Sequence, residues 1–133
     1  VHDRVHEYYW TYDWNCAVTT LCVLAEVFHI TLSDQVFEAA LGMHGAGGYG
    51  AQCGLVEGVI MFIGVAAKAE GLSHDAIAPA CADYAQRSES RFGSLLCREL
   101  RSGGFSTDNP PHLCEKLTRD AIAFVTGLLK DLL

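Results

Sequence analysis

Six cysteines in a chain of 133 residues are the densest concentration of chemistry-bearing side chains in the sequence, and four of them stand near expected helix starts. Cys16 opens a helical stretch after Asn15. Cys53 follows a glycine-rich loop, Cys97 lies in the short segment SLLCREL, and Cys114 falls in the first turns of the last helix. The free N–H groups of a helix start favour negative charge, so a thiol placed there ionises more readily than one in solution. The intervals between the four are 37, 44 and 17 positions, so no pair has the C-x-x-C spacing of a zinc ribbon or a thioredoxin-type site. If these sulfurs act together, the tertiary fold must gather them. Cys22 lies six positions beyond Cys16, roughly 240° further round a helix of about 3.6 residues per turn, and so faces elsewhere. Cys81 sits among alanines in PACADYA. Both read as small apolar core residues.

The loop before Cys53 contains Gly45-Ala46-Gly47-Gly48-Tyr49-Gly50, which satisfies the letters G-x-G-x-x-G. In a dinucleotide-binding unit that motif follows a strand and opens a helix, whereas here QVFEAALGM precedes it and reads as helix. The match is accidental. The glycines supply a permissive backbone leading to Cys53, either to shape a site there or simply to let helices pack closely around a buried cysteine.

Taken together, Asn15-Cys16-Ala17, the glycine-rich stretch ending in Cys53-Gly54 with Gly58 and Gly64 behind it, Phe92-Gly93-Ser94 with Cys97-Arg98-Glu99-Leu100, and Cys114 resemble the C_GCAxxG_C_C family of redox-active proteins. The resemblance runs from about Tyr9 to the C-terminus. It implies a small helical protein whose signature thiols are Cys16, Cys53, Cys97 and Cys114, with a role in redox or metal chemistry. Related domains are associated with iron–sulfur binding in some cytochrome-type proteins, so an iron–sulfur cluster of the 2Fe–2S kind ligated by these four thiolates is one implied cofactor. One departure stands out: Cys53-Gly54-Leu55-Val56-Glu57-Gly58 carries Leu55 where the family has alanine after Cys-Gly, which bears on packing at the site.

Other polar residues are weaker candidates. His44 lies in the glycine loop and His112 two residues before Cys114, each within range to serve as ligand or proton carrier or simply to be a loop histidine. His2 and His6 share an i, i+4 spacing without the glutamate of H-E-x-x-H and read as a surface pair. A cation such as Arg98 beside Cys97 would lower that thiol's pKa, while the Glu57 carboxylate one turn beyond Cys53 would raise its neighbour's. The aromatic residues Tyr8, Tyr9, Trp10, Tyr12 and Trp14 suit core packing or a homodimer contact.

The elements that must position these groups are helical throughout. Apolar residues recur at three- and four-residue spacing with almost no β-branched alternation, which predicts an all-α single-domain bundle over residues 1–133, of five to seven helices with a glycine-rich loop. The expected spans are 2–11, 15–29, 33–42, 52–70, 75–91, 94–101 and 111–131. Ser33 and Asp34 suit a capped start, and Pro110-Pro111 the first turn of the last helix, with Asp108 or Asn109 as its cap. Pro79 predicts either a helix start or a kink. The stretches 42–50 and 102–111 interrupt the pattern, and neither is long enough for a domain linker.

Composition narrows the function. Half the residues are apolar, enough for a buried core. A net charge of −7, with no Lys/Arg cluster longer than a pair, argues against nucleic acid as a partner. The longest apolar run, 59–67, falls far short of the roughly 20 residues needed to cross a bilayer, and VHDRVHEYYW lacks the apolar stretch of a signal peptide. A cytoplasmic setting is expected, and in a reducing compartment many cysteines point to redox or metal work rather than a disulfide framework. Three readings follow: electron transfer or redox sensing through a cluster or thiol–disulfide exchange with a redox partner protein; a structural zinc site built from four cysteines; and a plain bundle with incidental cysteines. No catalytic triad, acid–base pair or phosphate-binding lysine is recognisable, so the sequence leaves enzymatic activity open.

Overall fold

The computed structural model describes residues 2–100 and 115–132, which form eight helical segments. These are α1 (His2–Trp10), α2 (Cys16–Val27), α3 (Asp34–Ala39), α4 (Gly45–Gly48), α5 (Gly54–Ala69), α6 (His74–Phe92), α7 (Cys97–Leu100) and α8 (Glu115–Leu132). The all-α architecture expected from the spacing of apolar residues is the one observed. Cys114, His112 and the cap expected at 108–111 lie outside the described residues.

α5 is apolar almost all the way round, from Leu55 through Phe62 to Ala67, and a helix of that kind is stable only when surrounded by others. It is the central element. α2 packs on it most extensively, α6 covers a second side, and α1 and α8 close the bundle against α2. Tyr9, Leu21, Leu24, Phe62, Ile63 and Ile122 are the largest fully buried side chains of the core.

α2 and α5 meet through a pair of glycines one turn apart. A Cβ added at Gly58 would lie 2.7 Å from the Ala17 carbonyl oxygen, and one at Gly54 would lie 2.8 Å from the Ala17 backbone nitrogen. Only glycine permits this approach, because real Cβ atoms keep well beyond 3 Å from such neighbours. The first turn of α2 is thereby set against the first turn of α5.

Side-chain bonds fasten the outer helices. The Glu26 carboxylate on α2 accepts from Arg4 and from the Tyr8 hydroxyl on α1, each at 2.6 Å. Burial and the Glu26 charge push the Tyr8 phenol up to about 12. Tyr9 shares a 2.6 Å hydrogen bond with Thr118, and Glu115 accepts from Trp10 at 2.7 Å and pairs with His6 at 2.9 Å. His6 thus ties α1 to α8 rather than standing as half of a surface pair. The N-terminal aromatics divide: Tyr8, Tyr9 and Trp14 pack inward, while Trp10 and Tyr12 stay about half exposed.

Several boundaries differ from the expected spans: α3 ends at Ala39 rather than 42, α5 begins at Gly54 rather than 52, α7 covers only Cys97–Leu100, and two others have local reasons. α2 stops at Val27, two residues early, where His29 takes a left-handed conformation usually left to glycine (φ 57°). α6 starts at His74 and runs through Pro79, which forgoes only the one bond its N–H would have made to the carbonyl of Asp75.

Candidate functional site

Asn15 begins the site. Its side-chain oxygen accepts from the Val18 N–H at 2.9 Å, capping α2, and its amide donates to the Leu41 carbonyl at 2.8 Å. One residue thus starts the helix that carries Cys16 and ties that start to the chain leading into the glycine loop. Asn15→Asp should keep the cap and lose the tie, whereas Asn15→Ala loses both. The expected cost is about 1 kcal/mol for Asp and about 2 kcal/mol for Ala, read by urea unfolding.

The loop is more structured than an interruption. Gly45, Ala46, Gly47 and Gly48 all have positive φ, so α4 is a single left-handed turn, closed by bonds from Gly48 N–H to the His44 carbonyl and from Gly50 N–H to the Gly45 carbonyl. Left-handed turns cost L-residues about 1–2 kcal/mol each, which is why three of the four are glycine. Beyond it, Gln52 and Leu96 form an isolated antiparallel bridge, held by Cys53 N–H to the Leu95 carbonyl (2.8 Å) and Cys97 N–H to the Ala51 carbonyl (2.7 Å). Residues flanking a bridged pair point to the face opposite it, so Cys53 and Cys97 share one face. Cys97 closes on the left-handed turn: a Cβ at Gly45 would sit 3.1 Å from Cys97 Cβ and 3.4 Å from its sulfur.

Cys16 lies close to Cys53. The Cys16 thiol lies near enough to Cys53 to act on its ionisation, and the Cys16 sulfur occupies the space that a side chain at Gly54 would need, 2.3 Å from where its Cβ would stand. Cys53 is the N-cap residue of α5 and only 3% exposed. Its pKa is nevertheless lowered. The Cys16 hydrogen bond is the largest cause, burial opposes it, the N–H groups of Leu55 and Val56 at the open first turn add to it, and the Glu57 charge opposes. Cys53 makes no formed side-chain capping bond, so those N–H groups act through their field. Glu57 is itself held by a hydrogen bond from Gln52. Cys22, partly buried with no such donor, is pushed up to about 11, first by burial and then by the Glu26 charge. Burial likewise raises Cys81. Cys53 therefore differs chemically from Cys22 and Cys81.

Of the four candidate sulfurs, then, Cys16 lies close to Cys53, Cys97 stands against Gly45 on the same face of the bridge as Cys53, and Cys114 lies outside the described residues. Among the described residues no three His, Cys, Asp or Glu side chains converge so as to hold a metal ion. Arg98, expected to act on Cys97, donates to the Gly50 carbonyl at 2.9 Å and lies over the Tyr49 ring. His44 caps α4, with its Cα against the Gly54 face and its Nδ1 buried without a hydrogen-bond partner among the described residues. Sequence reasoning did not single out Tyr84, whose phenol burial pushes up to about 12, with the Ser88 hydroxyl opposing and the Cys53 charge adding. The available signal was its place on the inner side of α6, a largely polar helix that buries only Tyr84 and Ser88.

The fold is an all-α bundle in which the starts of α2 and α5 bring Cys16 close to Cys53, a thiol with a lowered pKa. The chain itself belongs to the family described as putative redox-active protein (C_GCAxxG_C_C), whose model matches residues 14–128. No curated protein sequence and no solved structure matches it. No helix among the described residues is long and apolar enough to cross a membrane.

Proposed function

We propose that the protein exchanges disulfides with a partner through Cys16 and Cys53, cycling two electrons per chain. The observation that carries the reading is the Cys16 sulfur lodged against Gly54, the residue next to Cys53, at the crossing of α2 and α5. Exposure assigns the roles: Cys16 is partly exposed and Cys53 is sealed, so a partner disulfide R–S–S–R′ meets Cys16. The Cys16 proton passes to the Cys53 thiolate as the Cys16 sulfur attacks. A Cys16–S–S–R bond forms, the S–S bond of the partner breaks, and R′–S⁻ departs with the electron pair. R′–S⁻ takes up the proton released when Cys53 ionises again. The Cys53 thiolate then attacks the Cys16 sulfur, the Cys16–Cys53 disulfide forms, and R–S⁻ leaves. The thiols are oxidised and the partner is reduced, and the reverse sequence oxidises a partner dithiol.

The test is anaerobic purification followed by equilibration in glutathione redox buffers. Thiol alkylation and mass spectrometry should find one Cys16–Cys53 disulfide and two electrons per chain, in a colourless protein without stoichiometric iron, sulfide or zinc. A brown protein with iron and sulfide bound in proportion, a stoichiometric zinc content, or a disulfide joining other cysteines overturns the reading.

A further inference from the structure

We propose that the protein pairs with a second copy of itself through α5, the two helices lying antiparallel about a two-fold axis that passes between Met61 and Gly64. This pairing is independent of the dithiol reading and uses the side of α5 that the other helices leave partly open. α5 is apolar almost all the way round, yet between Gly54 and Ala67 five residues are only partly buried: Glu57, Ile60, Met61, Gly64 and Val65. At about 100° per residue, these five and the exposed Lys68 fall on one stripe down a single side of the helix. Met61, Gly64 and Val65 form one wall of an open groove of about 420 Å³, and Val36 and Ala39 of α3 form the other. Such a stripe on a helix otherwise enclosed by its own chain is the kind of surface a partner covers.

The order of residues along the stripe identifies that partner. In a two-fold pair every contact occurs twice, so if one residue meets a second, the second meets the first. With the axis between Met61 and Gly64, Met61 falls opposite Gly64 of the second copy, Ile60 opposite Val65, and Glu57 opposite Lys68. A long side chain meets the position that has none, two branched apolar side chains meet each other, and an anion meets a cation. A parallel pairing would instead set Glu57 against Glu57 and Met61 against Met61. Nothing lies within 4 Å of a Cβ placed at Gly64, so the dent that receives Met61 is open in the single chain. Glu57 accepts a hydrogen bond from Gln52 and keeps acceptor capacity for a cation. Glu57 and Lys68 are about 16 Å apart along the helix, a span over which antiparallel helices crossing at about 20° remain in contact.

Sedimentation equilibrium of the reduced full chain should show reversible dimerisation with a Kd of about 10–100 μM, weak because each copy carries a net charge of −7. Gly64→Trp fills the dent from a position with open space around it, so circular dichroism should be unchanged while the dimer is lost. Lys68→Glu sets two pairs of like charges across the axis and should weaken association about tenfold; adding Glu57→Lys should restore the parent value to within about threefold. Should Gly64→Trp disturb the helices, the charge exchange alone decides. A chain that stays monomeric well above that Kd range overturns the proposal. So does a dimer that survives a folded Gly64→Trp, as one built on the half-exposed Trp10 and Tyr12 would, or a charge exchange that binds no better than Lys68→Glu alone.

Discussion

Cys16→Ala is expected to abolish the two-electron couple and, in the same protein, to raise the pH at which Cys53 ionises by one to two units. The first effect follows from the loss of a sulfur. The second is a matter of magnitudes. A hydrogen bond to a charged group contributes about 1.5–3 kcal/mol, and each pH unit corresponds to about 1.36 kcal/mol. The Cys16 thiol is the largest of the influences that lower the Cys53 pKa, and removing it leaves burial as the largest remaining one. Cys22 shows where burial, with the Glu26 charge added, leads without a donor, at about 11. The sign extends to stability. Because Cys53 in the folded protein ionises below its ordinary value of 9.0, its contribution is fully present above that value and is lost as pH falls through the folded pKa. Urea unfolding of the parent protein, kept reduced, should therefore show stability rising between neutral pH and pH 9, and Cys16→Ala should flatten or reverse that slope. A Cys53 transition at the same pH in both proteins would mean that the two sulfurs do not share a proton.

The helices were legible because their information is local. The spacing of apolar residues along 54–69, or the Asn15 and Ser33 starts, requires no knowledge of the rest of the chain. The association of Cys16 with Cys53 was legible only through a resemblance, since 37 residues separate them and the cause of their contact is the glycine pair on α5 meeting Ala17. What stayed hidden depends on three-dimensional neighbours. The left-handed turn at 45–48 looks, as letters, like a nucleotide motif or a flexible loop; its purpose is visible only when Cys97 is seen against Gly45. The isolated bridge that aligns Cys53 with Cys97 is too short to leave an alternating pattern. His6 read as a surface histidine because Glu115, its partner, is 109 positions away.

The glycine pair makes the sharpest structural prediction, because two effects of opposite sign compete on one helix. Replacing a mid-helix glycine by alanine ordinarily stabilises by up to about 1 kcal/mol. Gly64 is the position on α5 where that should hold, since nothing lies within 4 Å of an added Cβ. At Gly58 the same methyl group would meet a backbone carbonyl oxygen at 2.7 Å, and overpacking of this kind costs about 1–3 kcal/mol, more where main chain rather than a side-chain tip must yield. Gly58→Ala should therefore lower stability by about 2 kcal/mol in urea unfolding while Gly64→Ala raises it, a difference of roughly 3 kcal/mol between identical substitutions on one helix. Gly54→Ala is the most severe of the three. Its methyl would stand 2.3 Å from the Cys16 sulfur and 2.8 Å from the Ala17 nitrogen, so turning the thiol aside removes only the first clash. Both site-facing variants must push α2 away from α5, and the Cys16–Cys53 couple should then form its disulfide more slowly even where the helices persist by circular dichroism. Equal stability changes at Gly58 and Gly64 would show that the contact between the first turns of α2 and α5 is not what holds the two thiols together.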